Sequence, residues 1–318
     1  MTAPLVDVHV HVLPSATDPI RDGYEIWEYG PRDDVVFCDA RGTIDDVDEA
    51  VRGAAFAHVI AVNLFVPDLV RDEALSALRQ DEPAQTVAAI EDSMPDRLRA
   101  FNRWICDVAR DRAWMTPFVA ADPHVLGGEA GAAHLREMAE GHGARGIKIH
   151  PAAQRFRPDD PGMAPIYREC TELGLAVLSH SGASHGPIEW AEPAAFASVL
   201  RDHPGLTVVL AHLGGGRWSQ TVELAASFPQ ATFDLCEVIE WAGAPNAPAD
   251  EQLAALIRDV GVHRVMMGSD YPWYDLGHTV ERVMALPGLS DEEREGILGG
   301  NAARILGLPL DTGPAARP

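Results

Sequence analysis

Two imidazoles, His9 and His11, stand one residue apart in the run Leu5-Val-Asp-Val-His-Val-His-Val12. Alternate side chains of an extended strand share a face, which predicts Asp7, His9 and His11 on one side and Val6, Val8, Val10 and Val12 on the other. Neutral imidazoles at the end of an apolar strand are donors for a divalent cation. Three further apolar runs stop on a comparable group: Leu175–His180 before Ser181-Gly182, Leu206–His212 before Leu213 and three glycines, and Arg264–Asp270 before Tyr271-Pro272. Each then breaks on Gly or Pro two residues after the polar residue. Alone, His180 or His212 reads equally as a core histidine and Asp270 as a turn starter. Repeated at the ends of four strands, these residues predict a metal site.

The intervening segments supply the elements that position these groups. A helix is expected from Ile44 to Ala54, capped by Thr43 with Asp46 in its first turn. Further strands are expected at His58–Val66, Trp114–Ala121, Arg145–Pro151 and Ala231–Cys236. Helical patterns follow at Gly128–Gly141, Met163–Leu173, Ala194–Asp202, Trp218–Ala226, Asp250–Val260 and Thr279–Ala285. The stretch Glu82–Arg112 reads as a helical insertion after the second strand, broken at Pro95 and restarted at Asp96. About eight strand–helix pairs without a linker predict an α/β (β/α)8 TIM barrel, one domain over 1–310 with a frayed tail at 311–318. Such a barrel collects its functional groups at the carboxyl ends of the strands. The long segment Pro14–Arg41 has no clean period and is expected to form a lid after the first strand.

Composition narrows the partners. The chain has 318 residues, a hydrophobic content of 47% and a formal charge of −23. That charge argues against nucleic acid and anionic membranes as partners. No apolar stretch approaches the ~20 residues that span a bilayer, and no signal-peptide pattern precedes the first strand. Cys38, Cys106, Cys170 and Cys236 are scattered and read as reduced thiols, pointing to the cytoplasm.

Asp7-Val-His-Val-His11, Ser179-His-Ser-Gly182, Ala211-His-Leu-Gly214, Gly268-Ser-Asp-Tyr-Pro272 and Gly300-Asn-Ala-Ala-Arg-Ile-Leu306 occur in that order. Together they resemble the amidohydrolase superfamily, in the branch that includes aminocarboxymuconate semialdehyde decarboxylase and related hydrolases. The resemblance runs from Val6 to Leu308. It implies that His9, His11, His180 and Asp270 hold one divalent metal, Zn²⁺ first, with Mn²⁺ or Fe²⁺ as alternatives. It further implies Asp270 as the base for attacking water, His212 as the group that polarises a carbonyl or shuttles protons, and a homodimer. Lys-Ile-His-Pro-Ala also resembles the dihydroorotase context, where a carboxylated lysine, here Lys148, would bridge a second metal.

Lys148 and His150 share a face of the fourth strand and are expected at the pocket floor. Arg155, Arg157 and Arg217 follow strand ends and are candidates for holding a substrate carboxylate. Trp27, Trp190, Tyr271 and Trp273 are candidate walls, and His185 is expected to line the pocket. The expected activity is metal-dependent hydrolysis of a small, anionic lactone, amide or ester. The alternative is non-oxidative decarboxylation of an aromatic or unsaturated acid, with the same metal.

Overall fold

In the computed structural model, which describes residues 4–17, 28–76, 84–184 and 186–308, eight parallel strands follow one another around a barrel in chain order. They are β1 (Val6–Val10), β2 (His58–Val62), β3 (Met115–Ala120), β4 (Gly146–Ile149), β5 (Ala176–Ser179), β6 (Val208–Leu210), β7 (Ala231–Asp234) and β8 (Val265–Met266). The ring is drawn shut between β8 and β1 by Val8 N–H to the Met267 carbonyl at 3.0 Å and His11 N–H to the Tyr271 carbonyl at 2.8 Å. The (β/α)8 expectation is met.

The strands are short and buried on both faces because helices cover the outside and side chains fill the lumen. Val59, Val177, Val208, Leu210, Phe233 and Val265 face the helical layer, while Ile60, Val62, Phe118, Leu178, Val209 and Met266 pack in the lumen. Ala302, in the final helix Asn301–Leu306, joins the lumen cluster, so this helix closes the end of the barrel away from the site.

One expectation about β1 fails. Its register against β2 shifts between Asp7 and Val10, a β-bulge. Val6 and Val8 therefore pack in the lumen, while Val10 and Val12 lie under the helices. Asp7 does not share the cavity with His9 and His11. It is buried and accepts from His9 N–H at 2.9 Å and Ser269 N–H at 3.1 Å, tying β1 to the β8 loop. The bulge lets an apolar plug and a polar mouth follow each other on one strand.

The helix Ile44–Gly53 carries the expected capping box between Thr43 and Asp46. The insertion after β2 comprises helices Pro67–Ser76 and Ala84–Arg110, and the latter runs through Pro95 without the predicted break. Met94 and Leu98 on either side of the proline are buried with Phe65 and Leu126, and this packing outweighs the lost hydrogen bond. The segment after β1 folds back on itself, with Leu13 N–H to the Gly42 carbonyl at 2.8 Å and Thr17 N–H to the Arg41 carbonyl at 3.0 Å. Trp27, His185 and the tail 311–318 lie outside the described residues. No described helix is long and apolar enough to cross a membrane.

Candidate metal and catalytic site

The carboxyl ends of the strands open into a cavity of about 440 Å³. His9 (β1) and His11 (just after β1), Lys148 (β4) and His150 (just after β4), His180 (after β5), His212 (after β6) and Asp270 (after β8) all line it, as does Trp273. Residues far apart in sequence are thus brought to one mouth.

The ring nitrogens of His9 are assigned by their partners. Nδ1 lies 3.0 Å from Asp234 Oδ2 and 3.0 Å from Cys236 Sγ, both buried. A carboxylate only accepts, so the proton belongs on Nδ1 and the Nε2 lone pair faces the cavity. That Nε2 is 3.4 Å from Asp270 Oδ1, and His11 Nε2 is 3.1 Å from the same oxygen. Two donors bound to one ion at about 2.1 Å, at a tetrahedral angle, stand roughly 3.4 Å apart. The separations therefore fit a shared divalent cation. Gly268 makes the approach feasible, since a Cβ there would lie 2.9 Å from His9 Cβ.

His180 and His212 are linked in the same way. His212 Nδ1 is 3.2 Å from the Cys236 carbonyl, an acceptor, which places the proton on Nδ1. His212 Nε2 then accepts from His180 Nδ1 at 3.0 Å, leaving His180 Nε2 with its lone pair for a metal. His150 stacks on His180 with ring centroids 3.8 Å apart. Burial lowers the pKa of His9 to about 4, and removal from water, reinforced by Lys148, also lowers those of His11, His150 and His180. Neutral imidazoles are what ligation requires. Burial opposes charge on Asp270 too, but His9, His11 and His212 override it and hold this carboxyl well below the usual range. Lys148 Nζ lies 2.8 Å from His9 Nε2, and burial lowers its pKa.

Three residues of the mouth share a strained backbone. His212, Glu237 and Asp270 have φ of 59°, 63° and 63°, a left-handed conformation that non-glycine residues adopt at a cost. Their side-chain donor atoms all lie within 4.8 Å of one another, as do those of His9, Cys236 and Asp270. Asp270 belongs to both groups. Burial, helped by Asp270 and Glu28 and opposed by His212, lifts the Glu237 pKa to about 7. His212 is pushed the other way: Glu237, Asp270 and Asp234 outweigh its desolvation and raise its pKa.

Asp234, Cys236 and Glu237 were not anticipated from the sequence. Strand β7 ends on Asp234-Leu-Cys-Glu237 without the Gly or Pro break that follows the other polar strand ends, so the pattern does not single these residues out. The arginines were misplaced. Arg155 does not line the cavity; its side chain is 74% exposed and pairs with Asp68 at 3.1 Å. The turn after Gln154 puts Arg155 in a left-handed conformation that aims it outward. Arg157 pairs with Asp159 at 3.0 Å, and Arg217 is exposed before the helix Trp218–Ser227. Trp273 meets His11 edge-on, with centroids 5.0 Å apart, whereas Trp190 and Tyr271 do not line the cavity.

Residues 6–308 match the family described as Amidohydrolase. A 2-amino-3-carboxymuconate-6-semialdehyde decarboxylase of Dictyostelium discoideum is 27% identical, covering 95% of this chain and 91% of that protein. A Pseudomonas putida protein described as a candidate 2-pyrone-4,6-dicarboxylic acid hydrolase superposes with a TM-score of 0.62 at 21% identity, over 97% of this chain and 99% of that one. A Rhizobium 2,6-dihydroxybenzoate decarboxylase gives a TM-score of 0.62 at 16% identity, over 96% and 99% of the two chains. The two solved structures share the fold and are described by different chemistries.

Proposed function

The chain belongs to the amidohydrolase family and is an enzyme of that superfamily; from this premise we propose that it hydrolyses a small carboxylate-bearing lactone, amide or ester. The observation that carries this reading is the double membership of Asp270. One carboxylate stands within ligand distance of His9 and His11 and also in the group with His212 and Glu237. His9, His11, His180 and Asp270 would hold one divalent cation, with Zn²⁺ suited to this donor set and Mn²⁺ or Fe²⁺ as alternatives. When bound, such a metal lowers the pKa of water to about 7 and polarises a carbonyl.

The protein's own groups do the rest. Asp270, kept ionised, accepts the proton of the attacking water. His212 takes the opposite role as a proton shuttle to the oxygen or nitrogen that leaves, which requires its ring to give up the contact with His180 Nδ1. Its raised pKa favours the protonated form this needs. Lys148 offers its amine to the substrate carboxylate, and His150 fixes the ring of His180 by stacking. Trp273 provides an apolar wall for the body of the substrate. A metal on His9 Nε2 and a charge on Lys148 compete at 2.8 Å, so the neutral amine, which still donates to a carboxylate, is the form that coexists with metal in this reading.

A second reading, decarboxylation of an aromatic or unsaturated acid, is favoured by the name of the Dictyostelium relative. The two are separated by incubating metal-reconstituted enzyme with lactones and aromatic acids in ¹⁸O-water. Label in a product carboxylate supports hydrolysis. Release of CO₂ without label incorporation replaces it with the carboxy-lyase reading. Failure to bind any divalent metal after reconstitution would sink both.

A further inference from the structure

The charges that line the cavity are of two kinds. Among the described lining residues the one lysine or arginine is Lys148, whereas three are carboxyl groups: Glu28, Glu237 and Asp270. Asp270 is committed to His9 and His11. Lys148 rises from β4, beside His150 and the stacked His180 of β5. Glu237 follows β7, three strands round the barrel, and its carboxyl lies 3.8 Å from His212 Nδ1. Glu28 enters next to the β6 loop, where a Cβ on Gly216 would meet its own Cβ at 3.4 Å. Lys148 thus offers a donor to an anion from the β4 side, while beyond β7 two carboxyl groups, Glu28 and Glu237, stand against the one imidazole of His212. The left-handed backbone at Glu237 turns this side chain inward after an apolar strand.

Resting on the reading that Lys148 receives the substrate carboxylate, we propose that Glu237 determines specificity: the substrate is a monocarboxylate whose second polar group is a hydrogen-bond donor, a hydroxyl or amine, seated against Glu237. A second carboxylate would meet like charge there, and like charges in a site of reduced dielectric repel strongly. The groups that ordinarily neutralise a carboxylate in such pockets are bidentate arginines. Arg155 and Arg157 are instead engaged by Asp68 and Asp159 outside the cavity. A volume of about 440 Å³ admits a single-ring ligand with two substituents.

The test is calorimetric binding to the full-length, metal-reconstituted enzyme at pH 8, with 3-hydroxybenzoate and benzene-1,3-dicarboxylate as probes. These differ only in the group presented to the acidic end. The hydroxy acid should bind at least about tenfold tighter than the dicarboxylate. In Glu237→Gln, which keeps shape and removes charge, that ratio should contract to within about threefold. Loss of packing alone would weaken both ligands together and leave the ratio standing. Equal or tighter binding of the dicarboxylate by the unaltered enzyme overturns the proposal without need of a variant, and so does an unchanged ratio in Glu237→Gln. Binding of neither probe by enzyme that holds metal and turns over lactones overturns the specificity assignment and leaves the hydrolase reading intact. Failure of that reading shows separately, as absence of metal after reconstitution, and removes this proposal with it.

Discussion

Two cavities of similar size lie near one another above the barrel, and their charges are handled in opposite ways. The side pocket, about 350 Å³, is lined by Asp68, Arg71, Glu91, Asp122, His124 and Arg155 among others. Its charges close on each other: Arg71 on Asp68 at 2.5 Å and on Glu91 at 2.6 Å, and Arg155 on Asp68 at 3.1 Å. In the central cavity the Nε2 atoms of His9 and His11 converge on one carboxylate oxygen. Partners behind the rings, Asp234 for His9 and the Cys236 carbonyl for His212, fix which nitrogen faces inward. Density of charge does not mark a functional site. Convergent donors held in place from behind, and left with capacity for one more partner, do.

The strongest attack on this contrast removes a convergent donor. His9→Ala should lose metal and turnover together, by about a thousandfold or more, because a catalytic metal supplies several kcal/mol of transition-state stabilisation. Elemental analysis beside an activity assay checks it, and full metal content in the variant would refute the ligand assignment. Asp270→Asn should retain part of the metal while losing turnover to a similar degree, since it keeps an oxygen donor and loses the base. An active Asp270→Asn enzyme would remove the residue from its role.

The next test is aimed behind the ring. Asp234→Asn leaves every cavity-lining ligand in place but takes away the acceptor that holds the His9 proton on Nδ1. Metal affinity should fall about 10–100-fold, measured by competition with a chelator. An unchanged affinity would mean that the backing partners contribute nothing, and the difference between the two cavities would reduce to their residue types.

The sequence made the mouth legible because one rule, apolar run then polar end then Gly or Pro, recurs on strands that a barrel must bring together. His9, His11, His180, His212 and Asp270 were found that way, as were Lys148 and His150 from their shared face. What escaped depends on geometry that local pattern does not encode. The bulge in β1 separates Asp7 from His9 although strict alternation would join them. Pro95 reads as a helix break, yet tertiary burial of Met94 and Leu98 carries the helix through it. Glu237 enters the cavity through a left-handed residue, and Arg155 leaves it through another. The two share nearly the same backbone torsion, so the course of the loop around each residue decides whether its side chain belongs to the site.

A buried imidazole outside both cavities sharpens the distinction between placement and burial. His58 lies in β2, is buried, and its Nε2 meets Thr116 Oγ1 at 2.8 Å. Burial depresses its pKa to about 4 from the usual 6.5. The unfolded chain therefore binds a proton that the folded chain refuses as pH falls below 6.5. The stability linked to this group is present above that pH and is lost progressively toward pH 4, by on the order of 2 kcal/mol. His58→Gln should flatten the acid side of the stability curve between pH 6.5 and 4 while leaving kcat/KM within about threefold. Urea melts across that range, with activity at neutral pH, read the two effects separately. A large loss of activity would mean that the wall of the barrel couples to the mouth.

The smallest expected effect belongs to the side pocket. Arg155 holds an exposed pair with Asp68, and such pairs are worth roughly 0–1 kcal/mol. Arg155→Ala should change stability by no more than that, and kcat/KM by no more than about threefold. Arg155→Gly adds a control that a role in charge recognition does not anticipate. The residue sits at φ 58°, where glycine is unstrained and alanine is not. The glycine variant should therefore melt at or above the temperature of the alanine variant although both lack the same charge. If either variant lost more than tenfold in kcat/KM with its fold intact, the side pocket would lie on the substrate's path. Its closed ion pairs would then be a gate rather than a satisfied surface.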